Sequence, residues 1–256
     1  NVLLRRAQYR SADDQAASAD LARGFLAGKL SNTRAVLRRA IRDAGSANAS
    51  DPLLRAADRL RLLIRKLAST HDLDALRGIE GEAGARYFSV FHELIRDPDS
   101  FPFRGRSKRP PLDRVNAMLS FVYSLLGHDV ASALAGVGLD PAVGFLHRDR
   151  PGRESLALDL MEELRPILGD RLVLTLINRQ QVSADGFRCT ETGAVWMGDD
   201  TRRTVITAYQ KRKKEELTHP FLGERVSMGL VPHLQARLLA RHLRGDLDAY
   251  PPFFWK

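Results

Sequence analysis

Residues 11–43 read SADDQAASADLARGFLAGKLSNTRAVLRRAIRD, and this stretch decides the class of fold. Ser11-Ala12-Asp13-Asp14 has the form of a helix N-cap. Leu21, Phe25, Leu30, Val36, Leu37 and Ile41 then recur at spacings that keep one helical face apolar. The spacing predicts a long helix over about 12–43. Its other face carries Arg23, Lys29, Arg34, Arg38, Arg39 and Arg42, which reads as a solvated surface. The same period continues outward. After a polar break at 45–51, Leu53, Leu54, Ala57, Leu60, Ile64 and Leu67 mark a second helix, and a third is expected over 73–95. Residues 97–111 contain Pro98, Pro102, Pro110 and Pro111; each ring removes an amide donor, so this is a loop. Helical spacing resumes with Val115, Leu119, Val122 and Leu126 and stops at Gly136 and Gly138. Further helices are expected over 155–168, 171–178, 201–217 and 226–243. Only 187–197 changes to a strand period, around the turn Thr190-Glu191-Thr192-Gly193. The expected class is therefore mainly α, a multi-helix domain with one small β-hairpin.

Composition narrows the function. At 256 residues and 44% hydrophobic the chain is long enough to bury a core and too apolar for disorder. Forty Lys and Arg against 31 Asp and Glu leave a net charge of +9, which favours a polyanionic partner, nucleic acid before membrane. The single cysteine, Cys189, permits no intrachain disulfide and no thiolate metal cage, as suits the reducing cytoplasm. No uninterrupted apolar run reaches membrane-spanning length, so no membrane partner is expected.

Two places conflict with simple patterning. Leu76, Glu80, Ala83 and Tyr87 fall on one stripe of the third helix, which puts a carboxylate on the side that should be buried. Gly78, Gly81 and Gly84 surround it, as close approach by a backbone or ligand would require. Such a carboxylate needs a metal or a basic side chain, and the helix alone leaves both open. Glu82, four residues before Arg86, has the spacing of a surface pair. Farther on, His147 stands where an apolar segment enters a turn. Asp159, Glu162 and Glu163 then project within about 100° of one another on the next helix. Three acids so close call for positive charge, from an ion or from arginine, with Glu163 the candidate for an exposed position. An imidazole with carboxylates makes a mixed ligand set suited to Mn²⁺ and acceptable to Mg²⁺. The proline-rich loop carries Arg104, Arg106, Lys108 and Arg109, either a phosphate track or an ordinary surface connection.

Taken in order, several segments resemble the CRISPR-associated protein one family, the metal-dependent DNA endonuclease and integrase of spacer acquisition. They are Arg77-Gly78-Ile79-Glu80-Gly81 to Tyr87-Phe88, then Phe103-Arg104-Gly105-Arg106-Ser107 to Pro111 with Asp113, Asn116, Ser120 and Tyr123. Gly138-Leu139-Asp140-Pro141 to His147 and Ser155 to Glu162 follow. The opening Leu4 to Tyr9, Lys29 with Asn32, and the closing Tyr250-Pro251-Pro252-Phe253 fit as well. The resemblance implies Glu80, His147 and Glu162 as ligands of Mg²⁺ or Mn²⁺, with Asp159 a catalytic neighbour. Arg104, Arg106, Lys108, Arg109, Asn116, Ser120 and Tyr123 are the implied DNA contacts. It implies a homodimer acting with CRISPR-associated protein two on double-stranded DNA, the prespacer and the CRISPR repeat, by 3′-hydroxyl transesterification. A CRISPR-associated protein four nuclease, fused or separate, is a further expected partner. Family members carry an N-terminal β domain, so residues 1–10 are expected to be a linker from it and 11–256 the helical catalytic domain. The competing reading is a non-catalytic helical nucleic-acid-binding or scaffold protein, whose acids only pair with arginines. A small-molecule metalloenzyme is a third.

Overall fold

A computed structural model describes residues 1–45 and 50–255. Its helices are α1 (Val2–Asp13), α2 (Gln15–Ala44), α3 (Asp51–Leu67), α4 (Leu73–Ser89), α5 (Arg114–Val137), α6 (Ser155–Leu164), α7 (Arg171–Asn178), α8 (Asp199–Lys213) and α9 (Val231–Leu243). Strands β1 (Phe187–Cys189) and β2 (Val195–Met197) form the expected hairpin, with Arg188 opposite Trp196. The class is mainly α.

Several boundaries differ from expectation. The third helix, expected over 73–95, ends at Ser89 and gives way to a 3-10 turn over Phe91–Leu94. The long helix begins as two: Asp14 leaves helical geometry and its carboxylate caps the amides of Ala16 and Ala17 at 2.8 and 3.2 Å. Residues 2–13 form α1, which buries Leu4 and Gln8, so the stretch 1–10 expected as a linker is mostly helical and packed. The helix expected over 201–217 ends at Lys213, and the one expected from 226 begins at Val231. Between them β3 (Glu216–Thr218) and β4 (Arg225–Ser227) make a second hairpin, so the first is not the only β element. Its turn is built by local chemistry. The His219 amide donates to Glu224 O at 2.8 Å, the Gly223 amide to His219 O at 2.8 Å, and Gly223 takes the positive φ of 71° that glycine allows. The polar break expected at 45–51 falls partly on residues 46–49, outside the described residues.

Helices α2 and α5 run through two adjoining apolar clusters. The first joins Leu26, Leu30 and Leu37 of α2 to α3, α4, the start of α5, and α7 and α8. The second joins Leu21 and Phe25 of α2 to the end of α5, α6, α9 and the tail residues Tyr250 and Phe253. Helix α5 is by length and composition long and apolar enough to cross a bilayer, yet Val115, Leu119, Val122, Leu126, Val130 and Leu134 are wholly buried in the core. Between α6 and α7 the chain does not break. Pro166 cannot donate to the carbonyl four residues before it, and Arg165–Asp170 widens into a π-helical turn.

Gln8 holds α1 to the segment that leads to His147. Its amide donates to Asp140 O at 2.8 Å and Val143 O at 2.9 Å, and its carbonyl accepts from the Asp140 amide at 2.9 Å. Replacing Gln8 by leucine leaves these buried groups unpaired, and we expect a loss of about 1–3 kcal/mol, measured by chemical denaturation.

Candidate active site

The three acids of α6 leave in three directions. Asp159 is fully buried and consumed. Its Oδ2 accepts from the amides of Phe145 and Leu146 at 2.7 and 3.0 Å, and its Oδ1 from the amide and Nδ1 of His147 at 3.0 and 2.6 Å. No acceptor direction is left for a ligand, so Asp159 orients the imidazole and frees its Nε2. Gly144 makes this possible, because a Cβ there would stand 2.9 Å from Asp159 Oδ2 and 2.8 Å from the Ser155 backbone.

Glu163, expected as the exposed member, is buried. It accepts from Tyr250 Oη at 2.7 Å, Gln235 Nε2 at 3.0 Å and the Phe253 amide at 2.6 Å, so it clasps the C-terminal tail. Asn32 of α2 closes the clasp, donating to the Glu163 and Phe253 carbonyls at 2.7 and 2.8 Å. Burial pushes the Glu163 carboxyl up to about 8, against the lowering pull of these three donors.

Glu162 faces α2 and α4. Lys29 Nζ lies 2.7 Å from its Oε2 and also donates to Glu80 Oε1; Arg165 Nη1 is 3.3 Å from its Oε1. Burial would raise the Glu162 carboxyl, but Arg165, Lys29 and His147 outweigh it and hold the group well below the usual carboxylate range. Burial would likewise lower Lys29, yet Glu162 and Glu80 keep its ammonium above the ordinary value. Glu80 is one third exposed rather than buried: Leu76, Ile79, Ala83 and Tyr87 form the buried stripe of α4, and Glu80 stands at its edge. No backbone approaches Gly78, Gly81 or Gly84 closely; Gly81 and Gly84 border open space beside Glu80 instead. Glu82 pairs with Arg59 of α3 at 2.5 Å, a contact across helices in place of the expected pair with Arg86.

That open space is a cavity of about 560 Å³ walled by Lys29, Glu80, Tyr87, Arg104, Lys108 and Arg165, among others. A second recess of about 350 Å³ lies between Glu80 and His147, with Arg77, Arg148, Arg150 and Arg153 around it. Arg77 ties α4 to the histidine segment through a 2.8 Å bond to Leu146 O. Among the described residues, three buried side-chain polar atoms without a hydrogen-bond partner belong to the wall of the larger cavity, Tyr87 Oη, Arg106 Nε and Arg165 Nε; Arg212 Nε lies outside it, and Glu162 Oε2 has the Lys29 ammonium at 2.7 Å. Orphaned polar groups are costly, and so many around one cavity mark a place built for a polar occupant.

The expected DNA contacts divide. Arg104, Lys108 and Arg109 are exposed, and the first two line the cavity. Arg106 is tied inward, donating to Asn116 Oδ1 at 2.7 Å and Ser120 Oγ at 3.1 Å, with its guanidinium 5.4 Å from the Tyr123 ring centre. Asn116 is wholly buried and bonds Gly105 O and Asp113, so it folds the loop and is not open to DNA. Ser120 is occupied by Arg106. Tyr123 lies between Arg106 and Arg165, the latter 4.9 Å from its ring centre, and its hydroxyl donates to Asp170. Lys29 and Arg165 were not among the expected site residues. Arg165 had a local signal, three residues after Glu162; Lys29 had none beyond the resemblance that included it with Asn32, since on its own helix it falls on the charged face.

Whether the site suits a divalent ion turns on its donors. Among the described residues no three His, Cys, Asp or Glu side chains are grouped as a ready-made metal cage. The donor types nevertheless suit one. Glu80 and Glu162 already share a positive charge, and Nε2 of an imidazole anchored at Nδ1 is the usual arrangement of a metal-binding histidine.

Asp170 supplies a pH test of the neighbouring cluster. Burial raises its carboxyl to about 6, against the lowering pull of Tyr123, Tyr87, Arg165 and Arg106. The folded state thus keeps the proton after the unfolded chain has lost it. This group's stabilising contribution is complete below about pH 4 and is lost as pH rises through about 6. Measured Tm values for Asp170→Asn and the parent chain should shift in favour of the variant between about pH 4 and 7.

Comparison with known proteins places the chain. The family described as CRISPR associated protein Cas1 matches residues 1–211. CRISPR-associated endonuclease Cas1 2 of Rhodospirillum rubrum is 60% identical over 261 residues, spanning 100% of this chain and 75% of that protein. A casposase bound to integration product superposes with a TM-score of 0.85 at 25% identity, over 100% of this chain and 73% of the other. The Cas1-containing chain of a Cas6-RT-Cas1–Cas2 complex shares the fold, with a TM-score of 0.84 at 23% identity over 100% of this chain and 27% of that one. Similar in sequence from end to end and in helical architecture, the chain belongs to the CRISPR-associated Cas1 family.

Proposed function

We propose that the chain is a divalent-metal-dependent DNA endonuclease and integrase that inserts spacers into a CRISPR array. The observation that carries this reading is a polar recess lined by Glu80 from α4 and His147, with Glu162 from α6 joined to Glu80 through Lys29. A basic cavity adjoins it, with several buried polar groups still unpartnered. The 60% identity to a protein named an endonuclease and the fold shared with a casposase bound to integration product support it.

In this mechanism Glu80, Glu162 and His147 hold Mg²⁺ or Mn²⁺, which when bound polarises the scissile phosphate and offsets its developing charge. The chain's own residues do the rest. Asp159 fixes the imidazole ring, so Nε2 is presented at a constant angle. Arg104, Lys108 and Arg165 set positive charge along the cavity for the DNA phosphates. The donor strand's 3′-hydroxyl gives its proton to solvent as its oxygen bonds to phosphorus, the bond to the old 3′-oxygen breaks, and that oxygen takes up a proton from solvent. One phosphodiester replaces another with no nucleotide hydrolysed. A homodimer with a Cas2 partner would hold the two donor ends at once, and a Cas4 nuclease would trim them beforehand.

The test is strand joining on branched DNA by the full assembly. We expect activity with Mn²⁺ that chelator abolishes, and losses on the order of 10²–10³ for Glu80→Ala, Glu162→Ala or His147→Ala. Asp159→Asn should cost about 10–100-fold, since it disturbs the imidazole without removing a ligand. Full metal-dependent activity in Glu80→Ala would refute the ligand set. No activity from the intact assembly would favour a scaffold whose acids are only ion pairs.

A further inference from the structure

Lys29 is placed by a backbone contact. Gly28 presses α2 so close to α6 that a Cβ there would stand 2.8 Å from Glu163 Cγ. The next residue on α2 therefore meets the next-door acid of α6, and Lys29 reaches Glu162 with its side chain only 12% exposed. It touches one oxygen of each of the two carboxylates, Glu80 Oε1 and Glu162 Oε2, which come from separate helices. The Glu162 oxygen it faces is out of hydrogen-bond alignment, whereas the other is near Arg165. A structural ion pair selected for geometry would use a guanidinium, whose fork matches a carboxylate. An ammonium on a four-carbon stem is a movable point charge. Lys29 also forms part of the wall of the 560 Å³ cavity, beside Lys108 and Arg165.

From this geometry we infer that Lys29 is an exchangeable counter-ion. It neutralises Glu80 and Glu162 while no divalent ion is present, gives up their oxygens when one binds, and turns into the cavity to take a DNA phosphate. The inference rests on the ligand set proposed above. An ammonium and a divalent ion held between the same two carboxylates repel each other strongly at contact distance, so binding of the ion drives Lys29 away from them. Without Lys29 or a metal, the buried Glu162 would keep only Arg165 at 3.3 Å and Glu80 would lose its close cation, so one or the other is favoured there. No bond is made or broken in the exchange; one positive partner replaces another.

The experiment measures Mn²⁺ binding to the full chain by electron paramagnetic resonance, with activity not needed as a readout. Lys29→Met, which keeps length and removes charge, should bind Mn²⁺ at least about tenfold more tightly than the parent, since no ammonium has to be displaced. Without metal the variant should melt lower than the parent, and saturating Mn²⁺ should restore it. In Mn²⁺ its affinity for double-stranded DNA should fall less steeply with salt, the slope of log K against log salt dropping by about 0.9. In chelator the two slopes should agree. Equal or weaker Mn²⁺ binding by Lys29→Met, or a variant that Mn²⁺ does not restore, overturns the exchange. Lys29→Gln must give the same sign. If Glu162→Gln binds Mn²⁺ as the parent does, the ligand set itself fails. If it loses the ion while Lys29→Met gains nothing, only the role of Lys29 fails.

Discussion

The close approach of α2 to α6 is the constraint on which the site depends. It is set by the absence of a side chain at Gly28 and locked by Asn32, which grips the backbone of both α6 and the C-terminal tail. Between those two positions lies Lys29. Packing density leaves little freedom at such a contact, so the charge on Lys29 is delivered to Glu162 as a consequence of how the backbones meet.

The same contact explains why three neighbouring acids do three jobs. Asp159 is turned to the amides of the preceding loop and holds His147. Glu163 is turned to the tail and fastens Tyr250 and Phe253. Only Glu162 is left with cations alone as partners. The acids before and after it anchor α6 on two sides, which pins the position from which Glu162 projects. On the far side of the cavity Tyr123 lies between two guanidiniums and bonds Asp170, so the basic wall is rigid where it meets the acids. On the proline-rich loop, the charged residues with freedom to meet a polyanion are those outside this lattice, Arg104, Lys108 and Arg109.

Much of the fold was legible in the order of residues. Leu21 to Ile41, Leu53 to Leu67 and Val115 to Leu126 carry a helical period that solvent alone enforces, and the prolines of 97–111 forbid a helix by covalent geometry. Residues 214–217 and 226–230 read as helix because strands of three residues are too short to show a period of their own. The His219 to Gly223 turn was the signal that a hairpin intervenes. Glu80 and Glu162 were singled out by patterning and resemblance together, since a carboxylate near an apolar stripe is a local conflict visible without coordinates.

What the sequence by itself determined was the class of fold, the basic balance, and the residues able to carry the chemistry, because periodicity, charge and side-chain type are properties of neighbours along the chain. Tertiary structure alone decided the partners. Lys29 looked like a solvated lysine and is enclosed, Glu163 looked exposed and is buried, and Asn116 looked like a DNA contact and folds a loop. Each outcome depends on a contact between segments far apart in sequence. The cost of burying a polar group is set by what arrives opposite it, and no local pattern records that.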